Sequence, residues 1–436
     1  MNHFQRGPDG HLRCEDVPLE VIAREVGTPV YVYSHATIAR HARVWRDAWD
    51  GVEHQGCFAV KACSSLGILD VIARAGLGFD IVSGGELRRV LAVGGDPSKV
   101  VFSGVGKTLD ELRLALEVGI GCFNVESPAE LEQLASVARA LGKRAPVSLR
   151  VNPDVDAETH PYIATGLKHS KFGIAWGDAP EVYARAAALP ELEVIGVDCH
   201  IGSQLSRTEP FVAALDRLLA LVDRLVAMGI PIRQVDIGGG LGITYREEQP
   251  PSPDEYAARV RERLLASGHP LRILTEPGRV LVGNAGCLVT RCLLVKDNGD
   301  TRFVVVDAGM NDLLRPALYQ AWHAIEPVAP PRAETAVVDV VGPVCETGDF
   351  LARTRELPRI EAGELVCVRS AGAYGFVMAS NYNSRPRAAE VLVDGDRYDV
   401  IRARETFDDL VRGERVPGRA AATLGPAGQA GQAGEE

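Results

Sequence analysis

Between about residue 55 and residue 277 the chain repeats one pattern: a short apolar run, a turn, then a stretch whose apolar positions recur every three or four residues. The runs Cys57–Val60, Phe79–Val82, Val100–Ser103, Cys122–Val125, Val147–Val151, Val194–Cys199, Gln234–Ile237 and Arg272–Thr275 are rich in β-branched and aromatic side chains, as strands buried on both faces require. The stretches between them carry helix signals. Thr108-Leu-Asp-Glu111 and Ser127-Pro128-Ala-Glu130 read as capping boxes, in which a hydroxyl and a carboxylate satisfy each other's free amides. Gly119 and Gly142 stand where left-handed C-terminal caps are expected. Eight such repeats over about 250 residues predict an α/β fold, a (β/α)8 TIM barrel. The rival is a doubly wound open sheet, because Gly238-Gly239-Gly240-Leu241-Gly242 follows a run. That cluster comes at the seventh run, whereas a dinucleotide-binding sheet places it at the first.

From about residue 287 the rhythm changes. Cys287–Val295, Phe303–Val306, Ala336–Val341, Leu365–Arg369 and Glu390–Val393 follow one another with Gly, Pro, Asp and Asn between them, which predicts an antiparallel β-domain, a sandwich or barrel. The opening run Thr28–Tyr33 is strand-like and is expected to join it. The chain therefore divides into an N-terminal segment 1–34, a barrel 35–286, a C-terminal β-domain 287–417 and a Gly/Ala/Gln-rich tail 418–436 expected to be disordered.

Charge narrows the range of partners. With 47 Lys+Arg against 58 Asp+Glu the formal charge is −11, which leaves no basic excess for nucleic acid or an anionic membrane. The longest apolar stretch, Phe211 to Ile230, is broken by Asp216, Arg217, Asp223 and Arg224 at helical spacing, so it reads as an amphipathic helix. The nine cysteines are scattered and include no Cys-x-x-Cys pair, which points to neither a zinc site nor a disulfide framework. The polar start has no apolar signal core, and the expectation is a cytoplasmic protein without a metal.

A barrel of this type places its chemistry just past the C-terminal ends of the strands. The residues there are Lys61, Asp80 and Ser83, Ser103, Glu126, Asn152, His200, Gly238–Gly240, and Glu276-Pro277-Gly278-Arg279. Polar residues follow strands in any turn, but a lysine directly after Phe58-Ala-Val60 is not ordinary. Desolvation there is expected to lower its pKa and free the amine for a Schiff base. Gly238–Gly240, read as opening a helix, would offer bare amides to a phosphate. Gly278-Arg279 would add a second amide set and a cation, and Glu276 could keep a heterocyclic nitrogen protonated. An amine, a phosphate cradle and an acid for a ring nitrogen are what pyridoxal phosphate requires.

Several segments together resemble the fold-type III pyridoxal-phosphate decarboxylases, which share an alanine-racemase-like barrel. They are Phe58-Ala-Val-Lys61-Ala, Asp198-Cys-His200-Ile-Gly-Ser203-Gln, Asp236-Ile-Gly-Gly-Gly240-Leu-Gly, Glu276-Pro-Gly-Arg279, Gly342-Pro-Val-Cys345-Glu346-Thr-Gly-Asp349 and Gly372-Ala-Tyr374-Gly375. His169-Ser-Lys171-Phe172-Gly173 and the segment from Asp307 through Arg315 to Tyr319 are similar to the diaminopimelate decarboxylases in particular. The likeness runs from about residue 28 to about residue 410. It implies a homodimer with its active site shared between subunits, releasing CO2 from meso-diaminopimelate to give L-lysine, the last step of lysine biosynthesis.

The same resemblance implies roles for single residues. Lys61 would hold the cofactor, His200 would stack on its ring, and Cys345 of the partner subunit would return a proton to Cα. A thiol is mostly protonated at neutral pH and can donate. Asp80, Ser203, Gly239, Gly240, Glu276, Pro277, Gly278, Arg279 and Tyr374 would complete the cofactor site. Arg279, Arg315, Tyr319, Glu346 and Tyr374 would hold the far end of the substrate, a carboxylate plus an ammonium. Three alternatives stand beside this reading. A decarboxylase of ornithine, arginine or carboxynorspermidine would favour an acid where Arg315 stands. An alanine racemase tolerates a cation where Glu276 stands. A non-catalytic regulator would be expected to lack Lys61 or Cys345.

Overall fold

Each of the eight predicted runs forms a strand, and the strands close into a ring in chain order. They are β1 (His54–Ala59), β2 (Gly78–Ile81), β3 (Val100–Phe102), β4 (Cys122–Val125), β5 (Ala145–Asn152), β6 (Leu192–Asp198), β7 (Gln234–Asp236) and β8 (Arg272–Thr275). All neighbours run parallel, β4 pairs with β5, and β8 returns to β1, so the rival open sheet is excluded. This computed structural model describes residues 2–155 and 171–417; His169 and the tail from residue 418 lie outside the described residues. β2 and β4 are buried at every position, which is why the runs are apolar without alternation. Cys57, Val101, Cys122, Ile195 and Leu274, from five different strands, form a separate buried cluster within the ring.

Helices follow the strands and cover the ring. The helix Leu109–Val118 has the capping box read from Thr108 and Glu111 and ends on Gly119 at φ 74°, while Pro128–Leu141 ends on Gly142 at φ 61°. The second capping box is only half formed. Ser127 Oγ accepts the Glu130 N–H, but the Glu130 carboxylate turns to Lys107 Nζ (2.6 Å) and the Glu126 N–H (3.0 Å). The Lys107 side chain is wholly buried and needs a counter-charge more than Ser127 needs a partner. After β8 only the four-residue helix Arg279–Val282 follows, and the earlier helix His35–Asp47 packs beside it, completing the outer layer between Pro253–Ala266 and Leu66–Arg74.

The expected β-domain is present as a second, nine-stranded sheet. Its long central strand, Gly286–Asn298, pairs antiparallel with Val30–Ser34, with Thr301–Val306 and with Leu365–Val368. Val30–Ser34 thus joins the sheet as the sequence suggested. Two neighbour pairs in it run parallel: Thr301–Val306 with Thr335–Val341, and Val30–Ser34 with Ala389–Asp394. Each is linked by a connection long enough for a crossover, which a hairpin would not permit. The edge strand Phe350–Pro358 escaped the sequence reading because its charged residues break the apolar pattern. So did the sheet formed by Phe4–Arg6, Leu12–Cys14 and Val17–Pro18, whose strands are too short to show any period. Phe4, Leu12, Val17 and Ile22 share a core with Val30, Val289 and Val391 of the second sheet. No helix among the described residues is long and apolar enough to cross a membrane.

Candidate active site

β1 ends at Ala59, and a tight turn over Val60–Ala62 presents Lys61 at the C-terminal mouth of the ring. Its Nζ lies 2.7 Å from Oδ2 of Asp80, which is wholly buried on β2, while the Lys61 side chain remains 34% exposed to the cavity above. This corrects the expectation of a lowered pKa. Burial does pull the ammonium toward neutrality, but the Asp80 and Glu276 carboxylates outweigh it and hold the group well above the usual lysine range. Until Asp80 finds another partner the amine is a cation.

Beneath Lys61 lies a buried acidic group. Asp198 closes β6, Asp236 closes β7 and Glu276 follows β8, each at most 5% exposed, with oxygens of all three within 4.8 Å of one another. Burial first, then repulsion among these acids and from Asp80, raises the pKa of all three, with Arg150 opposing the rise at Asp198 and Lys61 and Arg150 opposing it at Glu276. Asp80 Oδ1, Asp198 Oδ1 and Asp236 Oδ2 are buried without a hydrogen-bond partner. Glu276 Oε1 accepts from Ser103 Oγ at 3.3 Å, a long contact that leaves the carboxyl group with capacity to spare. A cationic ring N–H fits that position chemically.

Three glycines shape the next wall. Gly238 (φ 68°) and Gly240 (φ 120°) occupy conformations that disfavour side chains, and a Cβ on Gly239 would stand 2.1 Å from the Glu276 carbonyl oxygen. The turn therefore lies flat against Glu276-Pro277-Gly278. It does not open a helix, contrary to the sequence reading, because the chain runs irregularly to Pro253 before the next one begins. Lys61, His200, Ser203, Gly239, Gly240, Glu276, Pro277, Gly278, Arg279 and Tyr374 line one cavity here. Arg279 Nη2 donates to Ser203 Oγ at 3.0 Å. His200 Nδ1 accepts the Gly239 N–H at 3.2 Å, and burial, then Arg150 and Lys61, holds the ring well below the usual histidine pKa, hence neutral.

A wider cavity of about 470 Å³ continues outward from Lys61 and His200. Arg279 and Arg315 are each only 7% exposed and lie 5.8 and 4.7 Å from the Tyr245 ring. Arg279 also donates to the Tyr245 hydroxyl (2.7 Å), and Arg315 donates to His323 Nε2 (2.8 Å). Neither guanidinium has a carboxylate partner among the described residues. Glu248, the one carboxylate among the described residues of this wall, already accepts the amides of Tyr245 and Arg246. Tyr319 and Tyr374 line the same space.

Cys345 and Glu346 are not part of it. Both are exposed on the loop between Thr335–Val341 and Phe350–Pro358, where the Cys345 N–H donates to Asn383 Oδ1 at 2.7 Å. Neither is among the residues lining the two cavities at Lys61. The sequence does not single out Arg150, Tyr245, Trp322 or His323, while Phe172 lies in the quoted segment His169-Ser-Lys171-Phe172-Gly173. Asp198 and Asp236 open two of the quoted motifs, but only the structure shows that they end β6 and β7. Tyr245 and Trp322 sit in irregular segments, where no periodicity marks them.

The pyridoxal-binding domain of the pyridoxal-dependent decarboxylases matches residues 35–283. Diaminopimelate decarboxylase of Pseudomonas aeruginosa is 61% identical over 408 residues, covering 94% of this chain and 98% of that protein. The chain belongs to the diaminopimelate decarboxylases. Like them, this decarboxylase is a carboxy-lyase whose cofactor is pyridoxal phosphate. The Vibrio cholerae diaminopimelate decarboxylase is 55% identical over 94% of the chain and 98% of its own length. The crystal structure of the Helicobacter pylori diaminopimelate decarboxylase, complexed with L-lysine, superposes with a TM-score of 0.87 at 42% identity, covering 90% of this chain and 98% of that one. The M. jannaschii diaminopimelate decarboxylase gives a TM-score of 0.91 at 36% identity, covering 95% and 98%.

Proposed function

We propose that this decarboxylase releases CO2 from meso-diaminopimelate to form L-lysine, in the cavity above Lys61, as the last step of lysine biosynthesis in the cytoplasm. The observation that carries the substrate assignment is the pair of buried guanidiniums, Arg279 and Arg315, sharing a cavity wall with Lys61 and lacking any carboxylate partner among the described residues. Such cations are stabilised by anions that enter the site, the cofactor phosphate beside Arg279 and a substrate carboxylate beside Arg315. A substrate ending in an amine alone would leave Arg315 unpaired, which disfavours an ornithine or lysine decarboxylase.

Lys61 would hold the cofactor aldehyde, with Asp80 keeping the amine in place. Gly239, Gly240, Ser203, Pro277, Gly278 and Arg279 would surround the phosphate. His200, neutral and fixed by Gly239, would cover one ring face. Bound pyridoxal phosphate supplies a cationic ring that accepts the electron pair left behind as CO2 departs. Glu276 would keep the ring nitrogen protonated, and that positive charge would in turn draw the Glu276 carboxyl back to its ionised form. Tyr319 and Tyr374 would add hydrogen bonds at the distal end of the substrate.

Cys345 and Glu346 would serve the cavity of a second copy, giving a homodimer in which Cys345 of the partner subunit protonates Cα and Glu346 of the partner subunit meets the distal ammonium. Their exposure on one face of the second sheet supports this arrangement. The deciding assay measures CO2 release from meso-diaminopimelate against ornithine, arginine and lysine. Comparable rates with any of these three substrates, which lack a distal carboxylate, would overturn the assignment.

A further inference from the structure

His323 follows the helix Arg315–Tyr319 and is completely buried. Its Nε2 lies 2.8 Å from Arg315 Nη1 and its Nδ1 lies 2.8 Å from the Arg369 carbonyl oxygen. A guanidinium can only donate and a carbonyl can only accept. The ring must therefore carry its proton on Nδ1 and turn the lone pair of Nε2 to Arg315. A second proton would set N–H against N–H. Burial and the Arg315 charge, with Arg279 behind it, keep the ring neutral by pushing its pKa down to about 3.

We propose that His323 is a positioning residue that sets substrate choice, holding Arg315 through a neutral acceptor so that the guanidinium is aimed without being neutralised. A buried arginine is ordinarily held by a carboxylate, which cancels its charge. A carboxylate at position 323 would compete with the carboxylate of the substrate for the same cation. The imidazole fixes direction and leaves the charge for the ligand. Tyr245 completes the arrangement, standing edge-on to the His323 ring (5.3 Å, 78°) while its face meets Arg315. The inference rests on the reading of Arg315 as the partner of the distal carboxylate.

The test uses the holoenzyme and three variants, His323→Gln, His323→Glu and His323→Phe. For each, KM, kcat and the affinity read from the visible cofactor band on titrating meso-diaminopimelate are measured. His323→Gln keeps a neutral acceptor and should stay within about threefold of wild type in KM, whereas His323→Glu and His323→Phe should raise KM and weaken binding by about tenfold or more, with kcat little changed. In an Arg315→Ala background, His323→Phe should add less than about twofold, since the residue acts through Arg315. Equal KM for the Gln and Glu variants overturns the proposal. So does an undiminished effect of Phe without Arg315, or a fall in kcat with binding intact. Should His323→Glu not fold, the Gln and Phe pair decides by the same criteria. A wild-type enzyme that releases no CO2 from meso-diaminopimelate would instead remove the substrate reading beneath it, a result separable from the variant comparison.

Discussion

Lys61 Nζ and Asp80 Oδ2 sit 2.7 Å apart, Lys61 in the turn just past the end of β1 and Asp80 on β2, which the register Ala59↔Asp80 places beside β1. The amine that must condense with an aldehyde is thereby held as an ammonium, although only a neutral amine can attack a carbonyl. Removing the Asp80 carboxylate leaves burial opposed mainly by Glu276 and should lower the Lys61 pKa. In Asp80→Asn, the pH profile for reloading cofactor-stripped protein, followed by growth of the visible band, should shift about one to three units to lower pH. An unmoved profile would show that the ion pair does not control the amine.

Glu111 serves two helices with one side chain. Oε2 accepts the Thr108 N–H at 2.9 Å within its own capping box, and Oε1 accepts the Gly84 N–H at 2.7 Å at the start of the preceding helix. Glu111→Ala should therefore destabilise the protein by about 2 kcal/mol, against about 1 kcal/mol for Thr108→Ala, by urea unfolding. Equal losses would mean that the bond to Gly84 contributes nothing.

The barrel was legible because parallel strands buried on both faces must be apolar, and the mouth was legible because chemistry sits past their ends. What the chain does not display is pairing across strands. The sequence places Lys61 in an apolar setting and suggests a low pKa; Asp80, nineteen positions later and adjacent in register, reverses it. Glu130 shows the same limit, since its spacing from Ser127 predicts one partner and the buried Lys107 supplies another. Tyr245 and His323 complete the distal wall from irregular segments. Exposure of the loop bearing Cys345 depends on how the second sheet is carried by the barrel, which no local pattern records.

His54 and His323 make the fold sensitive to acid. Burial, reinforced by Arg272 at His54 and by Arg315 at His323, lowers each ring to about 3. Between that value and the unfolded value near 6.5 the unfolded chain binds a proton that the folded chain refuses, so stability rises with pH across this window and is lost as pH falls through it. Each ring contributes a slope of about 1.4 kcal/mol per pH unit there. Urea unfolding of His54→Gln at pH 7 and pH 5 should show a smaller loss on acidification than wild type. An identical loss would mean that the ring is protonated in the fold.

Lys61 lines the cavity, whereas Cys345 lies exposed on the second sheet, outside the cavities of its own chain. If each site takes Lys61 from one subunit and Cys345 from the other, Lys61→Ala and Cys345→Ala proteins are each inactive as homodimers for different reasons. A mixed dimer then keeps one site with both groups and one with neither. Random exchange makes half the dimers mixed, so activity should return to roughly a quarter of wild type. Exchange is verified independently by tagging the two chains differently. Confirmed mixed dimers without activity would place both groups in one subunit, and would require the loop bearing Cys345 to reach its own barrel.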